Sequence, residues 1–69
     1  MRDMATGMEL RLERTAARVT LKELSARMGR HPATLHRWEL AARVKPPQVA
    51  EYREALATFA DDATTLQAA

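Results

Sequence analysis

Cysteine is absent from the chain, which excludes a disulfide framework and a thiolate metal site. Only two glycines occur, too few for a Gly-rich phosphate loop. β-Branched residues are sparse and nowhere alternate with polar ones, so no sheet is expected. No apolar run approaches the roughly 20 residues of a membrane span, and no apolar segment follows the N-terminal charges as in an export signal. These absences point to a protein of the reducing cytoplasm that is not membrane-bound.

What remains is helix-forming. Alanine, leucine, arginine and glutamate dominate, the composition of an all-α protein. With 69 residues the chain makes one small domain, near the size at which a single core only just suffices. Residues 1–60 are expected to form that domain, after a loose arm at 1–5. Residues 61–69 read as a tail that frays or extends the last helix.

Start and stop signals divide the domain. Thr6 and Glu9 have capping-box spacing and open a helix over 7–17. Its inner stripe is ambiguous: Leu10 with Ala17, or Met8 with Leu12 and Ala16. Thr20 and Glu23 form a second box, with Val19 and Leu24 at hydrophobic-staple spacing, so the next helix begins at Leu21. Gly29 is placed to end it in a left-handed conformation. Pro32 suits the first position of a third helix, to Leu40, with His31 as its cap. On that helix Leu35 and Trp38 point one way. Ala33, His36, Arg37 and Leu40 lie at i, i+3, i+4 and i+7 on another face. After Pro46-Pro47, the spacing of Val49, Tyr52, Leu56 and Phe59 predicts a fourth helix over 47–60.

Charge is unevenly placed. Between Arg18 and Lys45 seven basic residues face two acidic ones, seven less two giving +5; from Pro46 onward one Arg faces four acids, giving −3. A basic middle segment suggests an anionic partner. Two short helices with glycine between them, a small residue (Ser25) where they cross, and Leu35 and Trp38 as anchors match a helix-turn-helix, whose second helix enters the DNA major groove.

With those residues in place, TGMELRLERTAARVTLKELSARMG, RHPATLHRWE and KPPQV resemble the lambdoid phage repressor and Cro family, the XRE-like regulators, over residues 6 to about 60. The resemblance implies a compact lambda repressor-like bundle of four to five helices, with the helix-turn-helix as the second and third. It implies an ion pair between Arg14 and Glu39. Thr20 and Lys22, at the start of the second helix, are implied phosphate contacts. His31, Ala33, Thr34, His36 and Arg37, beside Pro32, match positions that face DNA. Arg37 is the first choice for a base reader, since its fork can bond guanine O6 and N7 together. Arg30, Arg43 and Lys45 complete the expected DNA contacts. The sequence departs from the family at Arg18 and Ala41, where glycine is usual, at His31, where serine usually caps, at Pro32 and Ala33, where polar or basic residues are common, and at Glu13, where leucine is expected.

The expected activity is therefore sequence-specific binding of double-stranded DNA by a small transcription regulator, bacterial and nucleoid-associated or phage-encoded. No cofactor or metal is expected. A homodimer on a palindromic site is, with Leu56, Phe59 and Leu66 as candidate contacts. Two other readings stand beside it. One is an adaptor or inhibitor of phage or toxin–antitoxin type, binding a protein through Met8, Leu12, Leu21 and Leu40. The other is a MerR- or excisionase-like binder, which requires a β-wing after the helix pair. An enzyme is not expected: there is one serine, and His31 and His36 lie about 140° apart around a helix.

Overall fold

The computed structural model describes residues 5–68, with 61–68 as backbone alone. The chain is all-helical: α1 (Gly7–Ala16), α2 (Leu21–Met28), α3 (Pro32–Leu40) and α4 (Pro46–Ala68) follow in order. No strand occurs among the described residues, only an isolated antiparallel bridge between Ala5 and Val44. A helix, not a β-wing, thus follows α3. The first three helices lie within a residue of the expected bounds. α4 begins one residue early and runs on through the expected tail. No described helix is long and apolar enough to cross a membrane.

Local signals set the ends. Both capping boxes form. Thr6 accepts from the Glu9 N–H at 3.1 Å while Glu9 accepts from the Thr6 N–H at 2.8 Å. Thr20 and Glu23 do the same at 3.0 and 2.9 Å. Each box satisfies two N–H groups that a helix start leaves open. Gly29 closes α2 with φ 70°, a left-handed turn that favours glycine. Arg18 adopts φ 60°, so the α1–α2 turn keeps the left-handed shape although its residue is not glycine. Ala41 has φ −73°. That position is extended, so it has no need of glycine.

Leu10, Val19, Leu24, Leu35, Val44, Val49, Tyr52 and Leu56 form the core, with Leu21, Met28, Trp38 and Phe59 packed against it. The ambiguity in α1 is resolved in favour of Leu10: it is fully buried, whereas Met8 and Leu12 are 54% and 59% exposed. Leu10 and Arg14, four residues apart, share the inner face. Two expectations are corrected. Ala5 does not belong to a loose arm: it is buried, and its carbonyl accepts the Val44 N–H at 2.8 Å. Leu56 is not a surface dimer residue. It continues the stripe of Val49 and Tyr52, one turn further along the same face, and is buried in the core. Phe59 is half-buried, under the guanidinium of Arg27 at 4.0 Å, and the Leu66 side chain lies outside the described residues.

Gly7 decides how α1 meets α3. A Cβ there would lie 2.3 Å from the Trp38 carbonyl oxygen and 2.4 Å from that of Glu39. The bare glycine lets the start of α1 sit on the last turn of α3, and its N–H donates to the Ala41 carbonyl at 3.0 Å. The open N–H end of one helix thus meets the carbonyl end of another, a favourable dipole arrangement.

Candidate nucleic-acid interface

α3 is held from beneath by a polar knot. The Arg14 guanidinium donates through Nε to Glu39 Oε2 at 2.7 Å and through Nη2 to Oε1 at 3.1 Å. Its Nη1 donates to the Val19 carbonyl at 2.9 Å. The side chains are only 12% and 3% exposed. Tyr52, fully buried in α4, aims its hydroxyl at Glu39 Oε2 at 2.5 Å and at the Leu10 carbonyl at 3.2 Å. The Glu39 carboxylate therefore joins α1, α3 and α4, and the Arg14 guanidinium ties in the α1–α2 turn. Burial alone would raise the Glu39 pKa. The hydrogen bonds from Arg14 and Tyr52 outweigh it and hold the carboxyl below its ordinary value. Burial and the Glu39 hydrogen bond push the Tyr52 phenol up, so it stays a donor. The hydrogen bond to Glu39 likewise raises Arg14.

With Leu35 and Glu39 buried beneath it, the opposite side of α3 is bare. Ala33, His36, Arg37 and Leu40 are exposed, and Thr34 is half-buried. His31 caps the helix, its Nδ1 accepting the Ala33 N–H at 3.1 Å. The start of α2 presents Lys22. Thr20 is committed to its capping box, its hydroxyl also donating to Glu23 Oε1 at 3.0 Å. The N–H groups of Leu21 and Lys22 bond to no acceptor among the described residues. Open N–H groups at a helix start suit an anion. Arg43 and Lys45 are exposed in the α3–α4 connection.

The ion pairs sort the charges. Arg53 pairs with Glu13 at 2.6 Å and Arg14 with Glu39. Arg30, an expected DNA contact, donates from Nε and Nη2 to the Glu51 carboxylate at 2.5 and 2.8 Å and lies 5.1 Å over the Trp38 ring. It fastens the α2–α3 turn to α4. Glu9 and Glu23 are held below the ordinary carboxylate range by backbone hydrogen bonds in their caps. Arg18, Lys22, Arg37, Arg43 and Lys45 keep no carboxylate partner among the described residues. Arg11 is a further cation with no salt-bridge partner among the described residues. Sequence reasoning passed it over because it lies outside the basic middle segment, and only the folded position of α1 brings it near α3.

That position creates a groove of about 290 Å³ lined by Met8, Arg11 and Arg14 of α1, Leu21 of α2, and His36, Glu39 and Leu40 of α3. It brings His36 beside the start of α2, whereas Arg43 and Lys45 do not line it. Among the described residues no group of His, Asp and Glu is arranged to hold a metal ion. Comparison with protein-family models, curated proteins and solved structures gave no match.

Proposed function

We propose that the chain is a sequence-specific double-stranded DNA-binding transcription regulator of the lambda repressor and Cro kind, with α2 and α3 as its helix-turn-helix. The observation that carries this reading is the contrast between the two sides of α3. The inner side is locked by Leu35 and the Arg14–Glu39–Tyr52 knot. The outer side leaves Ala33, His36 and Arg37 exposed, and Lys22, Arg37, Arg43 and Lys45 keep no carboxylate partner among the described residues. An internally satisfied underside and a bare cationic top fit a helix laid into the major groove. Arg37 reads guanine, Ala33 meets a thymine methyl, and Lys22, Arg43 and Lys45 meet phosphates. One short helix covers too few bases for high affinity, so the protein acts as a two-fold dimer on half-sites about one DNA turn apart.

The test is selection from a random duplex pool at two salt concentrations. The reading expects a palindromic motif, steep salt dependence, and loss of guanine preference at one position per half-site with Arg37→Ala. Retention without a motif, or no retention at low salt, sinks it.

The groove favours a second reading. Met8 and Leu40 are 54% and 71% exposed, and DNA phosphates gain nothing from them. Its one carboxylate, Glu39, is neutralised by Arg14, while Arg11 has no salt-bridge partner among the described residues. Charge complementarity therefore selects a protein segment carrying an apolar side chain flanked by acids. Because Leu21 and His36 line the same groove, such a segment competes with DNA. Selection from displayed random peptides should enrich acid-flanked Leu or Phe and lose the enrichment with Leu40→Glu. Enrichment of basic peptides, or none, counts against it.

A further inference from the structure

The first turn of α3 spends all its own backbone donors. Pro32 has no N–H, the Ala33 N–H goes to His31 Nδ1 at 3.1 Å, and the Thr34 N–H goes to the His31 carbonyl at 2.9 Å. No backbone donor of this turn is left to meet an anion. The imidazole that caps it is also constrained. A backbone N–H can only donate, so Nδ1 must present its lone pair, and a neutral imidazole then carries its proton on Nε2. His31 is exposed, and Nε2 meets no acceptor among the described residues. Serine or aspartate caps a helix better than histidine, but aspartate has no donor and the serine hydroxyl keeps its donor on the capping atom itself. Histidine both caps and donates outward, because its two nitrogens lie on opposite sides of one rigid ring.

We infer that His31 is a donor-only DNA contact: its cap fixes the Nε2–H tautomer, and that N–H meets an electron-rich acceptor on the DNA. The inference rests on the DNA-binding reading above. The acceptor is a purine N7, a guanine O6, a thymine O4 or a phosphate oxygen, all of which present lone pairs. The cytosine amino group, itself a donor, is rejected. Arg37, about 1.7 turns further along α3, also only donates. The helix therefore offers one donor at its cap and another in its second half, and both favour acceptor-bearing base edges over the cytosine amino group.

Two measurements test this. In the free protein, the nitrogen-15 spectrum of the imidazole should show a proton on Nε2 and none on Nδ1 of His31. A dominant Nδ1–H form overturns the inference. His31→Ser keeps a side-chain cap and withdraws the donor from the far side of the imidazole ring to the capping hydroxyl, so the variant should melt no lower than the native chain yet bind DNA roughly tenfold more weakly. If the acceptor is a base, discrimination against cytosine at one position of each half-site disappears from the selected sequences. If it is a phosphate, every sequence weakens by the same factor and the motif is kept. Native affinity and motif with His31→Ser overturn the inference while leaving the DNA reading intact. A native chain that retains no DNA overturns both.

Discussion

Glu39→Ala is the most severe single truncation the fold offers at its polar knot. The carboxylate takes two hydrogen bonds from Arg14 and one from Tyr52, in a side chain 3% exposed. Without it the Arg14 guanidinium is left nearly buried with the Val19 carbonyl as its one remaining partner. The Tyr52 hydroxyl falls back on the Leu10 carbonyl. Breaking a buried pair by removing one partner costs about 3–5 kcal/mol, much of it the uncompensated charge. A domain of this length holds only about 3–10 kcal/mol in total. The variant should therefore melt roughly 12–40 °C lower and be partly unfolded at room temperature. Thermal and urea unfolding followed by far-ultraviolet circular dichroism read the loss directly. The double variant Arg14→Met/Glu39→Leu removes both charges and should recover most of it. A loss under about 1 kcal/mol for Glu39→Ala would place the pair with exposed salt bridges and refute the reasoning. Failure of the double variant to recover would show that the charges, not their imbalance, hold the helices together.

The same carboxylate gives the pH dependence. Its pKa is lowered in the fold, so its contribution is present above the unfolded value of about 4.3 and is lost as pH falls through the folded one. The native urea midpoint should drop in acid, and the double variant should drop less. Gly7→Ala should lower stability by about 1–3 kcal/mol in the same melts, since its Cβ meets backbone carbonyls that cannot swing aside. An ordinary helical glycine would instead gain about 1 kcal/mol. Arg18→Gly should raise stability by about 0.5–1 kcal/mol, because a left-handed L-residue costs about 1–2 kcal/mol and glycine returns part of that as unfolded-state entropy. Arg30→Ala should weaken binding to the selected DNA far less than Arg37→Ala in a titration at fixed salt, because Arg30 is held by Glu51 and Trp38.

The helix ends were legible because their chemistry is local. Thr6, Thr20, Gly29 and Pro32 each act within a few residues, and such signals survive in a bare sequence. The face of α4 was legible as periodicity, but periodicity carries no direction. It placed Leu56 in the right stripe without saying that the stripe faces inward. Ala5 and Val44 could not be paired in advance, since a single bridge across 39 positions leaves no pattern in either segment. The spacing puts Tyr52 in the apolar stripe of α4, where its ring belongs. The use of its hydroxyl depends on where α4 crosses Glu39, a property of the assembled helices. The Arg14–Glu39 pair was reached by resemblance alone, and no spacing rule links two residues 25 apart on different helices. The same limit explains Arg30: a cation in a basic segment looks available until α4 brings Glu51 to it.

Pairing changes what the basic segment means. By sequence, Arg27 and Arg30 count the same as Arg37, Arg43 and Lys45. In the fold, Arg30 is neutralised by a carboxylate from acidic α4, and Arg27 is spent on Phe59 and the Thr58 hydroxyl, also of α4, at 2.6 Å. The acidic half of the chain thus supports the side of the helix pair that faces the body, and it leaves the outer side of α3 and the flanking turns positive. Net charge alone, at +2, would predict weak attraction for any polyanion. A sorted surface predicts attraction of one orientation, with Lys22, Arg37, Arg43 and Lys45 setting the salt dependence and Arg30 and Arg53 adding nothing to it.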